Sequence, residues 1–145
     1  MRDYTTFAHA AIKEMFRQTG DKLAYGEDNL LKRGLVIRLL VLPNDLAGIE
    51  ENLRWIRDEL SPKTAISLMA QYYATNKAAT DARYILLSRR ISEREWYSAV
   101  ELLEDLGMEE GFMQEYESAS HYYRPDFTDA KKPFKDIRDF EINRQ

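Results

Sequence analysis

The sequence predicts an α/β fold built on a small, mostly parallel sheet flanked by helices, and three observations predict it. The first is the run Gly34–Pro43, Gly-Leu-Val-Ile-Arg-Leu-Leu-Val-Leu-Pro, in which eight of ten residues are aliphatic or glycine. Extended, it sets Leu35, Ile37, Leu39 and Val41 on one face and Val36, Arg38, Leu40 and Leu42 on the other. A strand apolar on both faces must be covered on both, which is the habit of parallel sheets. The second is the succession strand, helix, strand across Gly34–Tyr73, a βαβ unit whose crossover is right-handed and whose strands are parallel. The third is the order of the whole chain: helix, strand, helix, strand, helix, strand, tail.

The elements follow in order. Phe7, Ala8, Ala11, Ile12, Met15 and Phe16 recur at helical spacing, with Thr5 or Thr6 to cap the helix and Gly20 to stop it. Asp21–Arg33 is polar and reads as an irregular connection into the Gly34–Pro43 strand. Pro43 ends that strand, Asn44 or Asp45 can cap the next helix, and Leu46, Ile49, Leu53, Ile56 and Leu60 repeat at spacings of three and four. Ser61-Pro62 terminates it, and Thr64–Tyr73 reads as a second buried strand whose end turns polar and aromatic at Gln71, Tyr72 and Tyr73. Asn76–Arg90 carries no firm assignment. Ser92 with Glu95 forms a capping box, Trp96, Val100, Leu103 and Leu106 follow at helical spacing, and Gly107 is the stop. Gly111–Tyr116 reads as a third strand. Residues 1–116 are expected to form one domain and 117–145 a charged, aromatic, partly disordered tail laid over its surface.

Composition narrows the function. The 145 residues carry a net charge of −4, 44% hydrophobic and 32% charged residues, which offers no basic footprint for nucleic acid or anionic membrane. With no cysteine, this chain alone supplies no disulfide, thiolate metal site, cysteine nucleophile or iron–sulfur ligand, and two histidines make a histidine-rich metal site unexpected. No run approaches the ~18 apolar residues of a membrane span, and no signal-peptide pattern opens the chain. A cytoplasmic protein is the expectation.

The Gly34–Pro43 strand has no partner contributed from its N-terminal side. A long apolar edge invites pairing, so either the tail or another strand covers it, or another chain does. The isolated chain is expected to oligomerise through that edge.

Several stretches, taken in order, resemble a known family. They are Ala10–Gly20, Gly34–Pro43, Ser67-Leu-Met-Ala-Gln-Tyr72, Arg89-Arg90-Ile91-Ser92, Gly111-Phe-Met-Gln114 and Pro125-Asp126-Phe127. Their order and spacing look like the C-terminal half of radical S-adenosylmethionine proteins, in the branch related to pyruvate formate-lyase-activating enzymes. The resemblance implies an open, partial (β/α) barrel over residues 1–116. In the family a C-x-x-x-C-x-x-C loop in the N-terminal half binds a [4Fe–4S] cluster, where S-adenosylmethionine is cleaved to a 5′-deoxyadenosyl radical. This chain departs from that pattern by lacking every cysteine. Where the family reads Arg-His-Leu-Val-Leu-Pro, it has Arg38-Leu39-Leu40-Val41-Leu42-Pro43. The resemblance thus implies a half-barrel without its reaction centre, inactive alone and holding no cofactor by itself. S-adenosylmethionine, the cluster and a protein substrate belong to the full-length family. The partner is then the missing N-terminal half or another copy of this chain. The alternative is a stand-alone, non-catalytic binding or assembly module that oligomerises through its open sheet edge.

Chemistry on such a barrel sits at the C-terminal ends of the strands. The resemblance places Arg38 on the strand that faces the substrate cavity, and Gln71 and Tyr72 where the family approaches S-adenosylmethionine. Gln114 could line the same cavity or sit on a solvated strand end. Arg38 itself has two readings, a cation aimed at a substrate or an arginine paired within the fold. Met69 at a strand tip is more often core than cofactor contact. The aromatic residues Tyr116, Tyr122, Tyr123 and Phe127 are read as packing for the tail, and His9 as a surface or rim histidine.

Overall fold

The computed structural model describes residues 4–118. The elements in order are α1 (Tyr4–Thr19), β1 (Ala24–Tyr25), β2 (Leu31–Arg33), β3 (Val36–Leu40), α2 (Ile49–Glu59), β4 (Ala65–Met69), α3 (Lys77–Thr80), α4 (Glu93–Asp105) and β5 (Gly111–Met113). Single 3-10 stretches at Pro43–Asp45, Ala82–Leu87 and Tyr116–Ser118 fill the connections. The readings of Tyr122, Tyr123, Phe127 and most of the 117–145 tail lie outside the described residues.

β3, β4 and β5 form one parallel sheet in sequence order, with Arg38 opposite Ser67, Leu40 opposite Met69, and Ser67 opposite Phe112. This is the small parallel sheet that the doubly apolar run predicts, but among the described residues helices pack on one face only, where both faces were expected to be covered. One face carries Ile37, Leu39, Val41, Ile66, Leu68 and Ala70 into the core, where they meet Ile49, Leu53 and Ile56 of α2 and Trp96 and Ala99 of α4. Complete burial of a side chain such as Leu53 contributes about 1.5–3 kcal/mol, and this cluster supplies the main hydrophobic stabilisation. Both crossover helices therefore share one face of the sheet. The other face presents Val36, Arg38, Leu40, Ala65, Ser67, Met69 and Phe112; of these only Ala65 is buried, and Arg38 and Phe112 are exposed.

The elements are shorter than the apolar runs suggest, for local reasons. The β3 ladder ends where Val41 N–H donates to Met69 O, and Pro43 starts a tight turn. Asn44 and Asp45 both take left-handed backbone, φ 58° and 54°. Two successive left-handed residues cannot enter a right-handed helix. α2 accordingly starts at Ile49 behind Gly48, not at an Asn44 or Asp45 cap, and Leu46 stays outside it, 46% exposed. β4 stops at Met69 rather than running to Tyr73, because β5 offers it a partner only as far as Gln114. Asp21–Arg33, expected to be irregular, contains the short antiparallel β1–β2 hairpin. Its turn is held by Gly26 N–H to Leu30 O and by the Asp28 carboxylate, which accepts from Leu30 N–H and Lys32.

α1 runs beside α2 in the same direction. The His9 ring stacks on Trp55 with centroids 3.7 Å apart and planes 13° from parallel, and one turn later Lys13 pairs with Glu59. Ile12 and Phe16 are half-buried, whereas Tyr4, Phe7, Ala11 and Met15 are exposed, Phe7 to 72%. No helix among the described residues is long and apolar enough to cross a membrane.

Candidate functional site

The C-terminal ends of β3, β4 and β5 bring together the loops that carry most of the polar chemistry. Arg38 projects from the centre of β3 onto the open face, and its Nη2 lies 2.8 Å from Met69 Sδ. That contact is diagonal, because the residue directly opposite Arg38 is Ser67. A thioether is a weak acceptor with no charge, and among the described residues no carboxylate pairs with Arg38. Of the two readings of this arginine, the internally paired one has no counter-ion here. Met69, weighed as core, is only half-buried and forms part of the Arg38 surface.

Two of the other sequence-derived site residues, Tyr72 and Gln114, are committed to the scaffold. Tyr72 O–H donates to Leu87 O at 2.6 Å, fastening the 82–87 turn over the sheet end, and burial pushes its hydroxyl pKa upward. Gln114 Oε1 accepts Ala70 N–H at 3.2 Å, while Gln114 N–H donates to Leu68 O. Its side-chain amide thereby replaces the next carbonyl of the β5 ladder. Gln71, half-buried beside them, makes no side-chain hydrogen bond among the described residues.

A polar node that the sequence did not single out as functional lies at the same end. The Glu95 carboxylate accepts from Asn44 N–H at 2.7 Å, Ser92 N–H at 2.8 Å, Ser92 Oγ at 2.9 Å and Arg89 Nη1 and Nη2 at 2.8 and 2.7 Å. Arg89 also donates to Asn44 Oδ1, and Asn44 Nδ2 donates to Leu86 O at 2.6 Å. Arg89 first, then the backbone donors of Ser92 and Asn44, hold the Glu95 carboxyl well below the usual carboxylate range. The capping box that the sequence predicts is present, and the same Glu95 also grips the β3–α2 loop. The left-handed Asn44 was the available signal, since asparagine after proline favours such turns.

A cleft of about 360 Å³ opens next to this node between the start of α2 and α4, lined by Asp45, Ile49, Glu50, Arg94, Ser98 and Leu102. A second groove of about 560 Å³ runs along β5 against Val100, Leu103 and Met108 of α4 and its C-terminal loop. Among the described residues no group of three or more histidine, aspartate or glutamate side chains could hold a metal ion. The donor set does not fit an iron–sulfur cluster either, because the chain has no cysteine to ligate one.

No family model matches the chain. No curated protein and no solved structure matches it.

Proposed function

We propose that this chain is the C-terminal portion of a radical S-adenosylmethionine protein of the pyruvate formate-lyase-activating type, forming half of a (β/α) barrel and inactive alone. One observation supports the reading beside the sequence resemblance. Three parallel strands follow one another in sequence order with both crossover helices on one face, which leaves the Arg38 face without a helix over it among the described residues. That is the winding of a barrel wall, whose helices lie outside and whose inner face lines a cavity. One half of a doubly wound sheet shares this winding, and it is the sequence resemblance that favours the barrel. On this reading Arg38, exposed and without a carboxylate partner, is the inner-face cation that meets an anionic group. Gln71 lies beside the strand end. Tyr72 and Gln114 hold the cavity rim in place. The N-terminal half supplies the cysteines, the cluster and most of the S-adenosylmethionine site, in the cytoplasm.

The test is to read the coding sequence upstream of the Met1 codon and to assay the joined protein. An open frame with C-x-x-x-C-x-x-C, and release of 5′-deoxyadenosine from S-adenosylmethionine by the joined, cluster-reconstituted chain but not by residues 1–145, is the expected result. A stop codon and ribosome-binding signal immediately before Met1 would sink it.

One observation favours the second reading, a stand-alone assembly module. The outer edge of β3 is unpaired among the described residues, and an unpaired edge is a ready template for another chain. Light scattering on the purified chain separates the two, since only the module requires a stable oligomer.

A further inference from the structure

The core face of the sheet is not covered as far as its last strand. Ile66 and Leu68 of β4 pack with α2 and α4 in the core and are buried. Gly111 sits opposite Ile66 and Met113 opposite Leu68, so Met113 belongs to that same face. It is nevertheless 57% exposed, where Leu68 is fully buried. The outer edge of β5 has no strand partner among the described residues. The groove of about 560 Å³ between this edge and α4 has Val100, Leu103, Met108 and Met113 for its apolar floor.

The rim of the groove carries one sign of charge. Glu104, Glu109 and Glu110 border it. Residues 101–117 also hold Glu101, Asp105, Glu115 and Glu117, and no lysine or arginine. All of these carboxylates are exposed, and among the described residues none of them is in an ion pair. α4 ends here with no basic residue in its last turn, so the negative end of the helix adds to the same field. An occupant must bring apolar side chains together with an excess of positive charge.

The chain holds such a segment. Beyond Ser118, 27 residues follow outside the described ones, and within them residues 131–138 read Lys-Lys-Pro-Phe-Lys-Asp-Ile-Arg. Four cations stand there against one carboxylate, around Phe134 and Ile137. Lys131 is 13 residues past Ser118, and a chain of that length reaches about 40 Å when extended. Tyr116–Ser118 follows β5 directly, so the groove is within reach. We infer that residues 131–138 of this chain dock in the β5–α4 groove, with Phe134 and Ile137 on its apolar floor and the four cations toward Glu104, Glu109 and Glu110. The tether gives the segment an effective concentration on the order of millimolar, against which a second copy competes poorly in dilute solution. The site lies on the helix side of the sheet, away from Arg38, and is independent of the family proposed above.

Methionine oxidation by hydrogen peroxide, mapped by mass spectrometry on the full chain, reads the site, because conversion to the sulfoxide needs access to the sulfur. Met15, 45% exposed on α1, is the open reference, and Met108, 4% exposed, is the buried one. The expected result in dilute, low-salt solution is that Met113 reacts about ten-fold more slowly than Met15. Phe134→Asp, or Lys131→Glu together with Lys132→Glu, should bring Met113 up to the rate of Met15 while Met108 stays slow. Adding Glu109→Lys and Glu110→Lys to the lysine-reversed chain should restore the protection. Met113 reacting as fast as Met15 in the unaltered chain overturns the inference. So does protection that the substitutions at 131, 132 and 134 leave intact, and so does protection that fades on dilution, which makes the occupant a second copy.

Discussion

Arg38 Nη2 lies 2.8 Å from Met69 Sδ, across the diagonal of the β3–β4 ladder. The contact fixes where the guanidinium points without neutralising it. A positive charge at the centre of an otherwise aliphatic strand costs little only because it reaches the solvent-open face, and Arg38 is exposed there.

Replacing Arg38 by leucine is expected to leave the isolated chain folded, with a stability change of about 0.5 kcal/mol or less. Self-association should rise, because the charge that opposes antiparallel pairing of β3 edges is gone. Thermal denaturation and light scattering read the two effects. A fall in melting temperature of more than about 4 °C would instead mark Arg38 as a paired structural residue.

Glu95→Gln should cost about 1–3 kcal/mol at neutral pH. The amide nitrogen that the substitution introduces would face one of the donors of Arg89, Ser92 or Asn44 that the carboxylate now accepts. The pH dependence has a definite sign. The folded state lowers the Glu95 pKa from its ordinary 4.5, so below that value the unfolded chain binds the proton first. The stabilisation is complete above about pH 4.5 and fades as pH falls. Denaturant unfolding of wild type and variant at pH 7 and pH 3 should show the gap narrowing at pH 3. A gap that widens on acidification refutes the assignment.

The parts of this fold legible in the sequence are those set by short-range rules. The apolar run within Gly34–Pro43, the three-four spacing of Ile49, Leu53 and Ile56, and the Ser92–Glu95 capping box each need only local residues, and each yields its element: a strand at Val36–Leu40, the helix α2 and the start of α4. What could not be read depends on partners distant in sequence. The strand read from the sequence runs on to Tyr73 through a polar and aromatic end, yet it stops at Met69, where β5 stops offering hydrogen bonds. The 21–33 hairpin is so short, two residues against three, that its alternation carries no signal. Site residues divide the same way. The strand pattern gives Arg38 its face, but only the tertiary structure reveals that Tyr72 and Gln114 spend their polar atoms on Leu87 and Ala70.

Gln114→Ala should destabilise the chain by about 1–2 kcal/mol, since Ala70 is fully buried and its N–H would lose its acceptor. The effect is local. Exchange of the Ala70 amide should accelerate more than that of Leu53 in α2, and Gln114→Glu, which keeps a carboxyl oxygen in place, should restore most of the protection. Equal acceleration throughout would mean that Gln114 acts on global packing rather than on the end of the ladder.

Gly111 marks the tightest approach between β4 and β5. A Cβ there would be driven onto the Ile66 carbonyl oxygen and within 2.6 Å of Ile66 N, both backbone atoms that cannot swing aside. Its φ of 133° is also one that side-chain-bearing residues rarely adopt. Gly111→Ala must therefore push β5 off the sheet or unfold the chain, at about 3 kcal/mol or more. Gly107 offers the control. It too has positive φ, 65°, but a Cβ meets nothing within 4 Å, so Gly107→Ala should cost only about 1 kcal/mol of backbone strain. Chemical denaturation of the pair separates collision from conformation, and similar losses in both would show that β5 does not pack on β4 as closely as Ile66 requires.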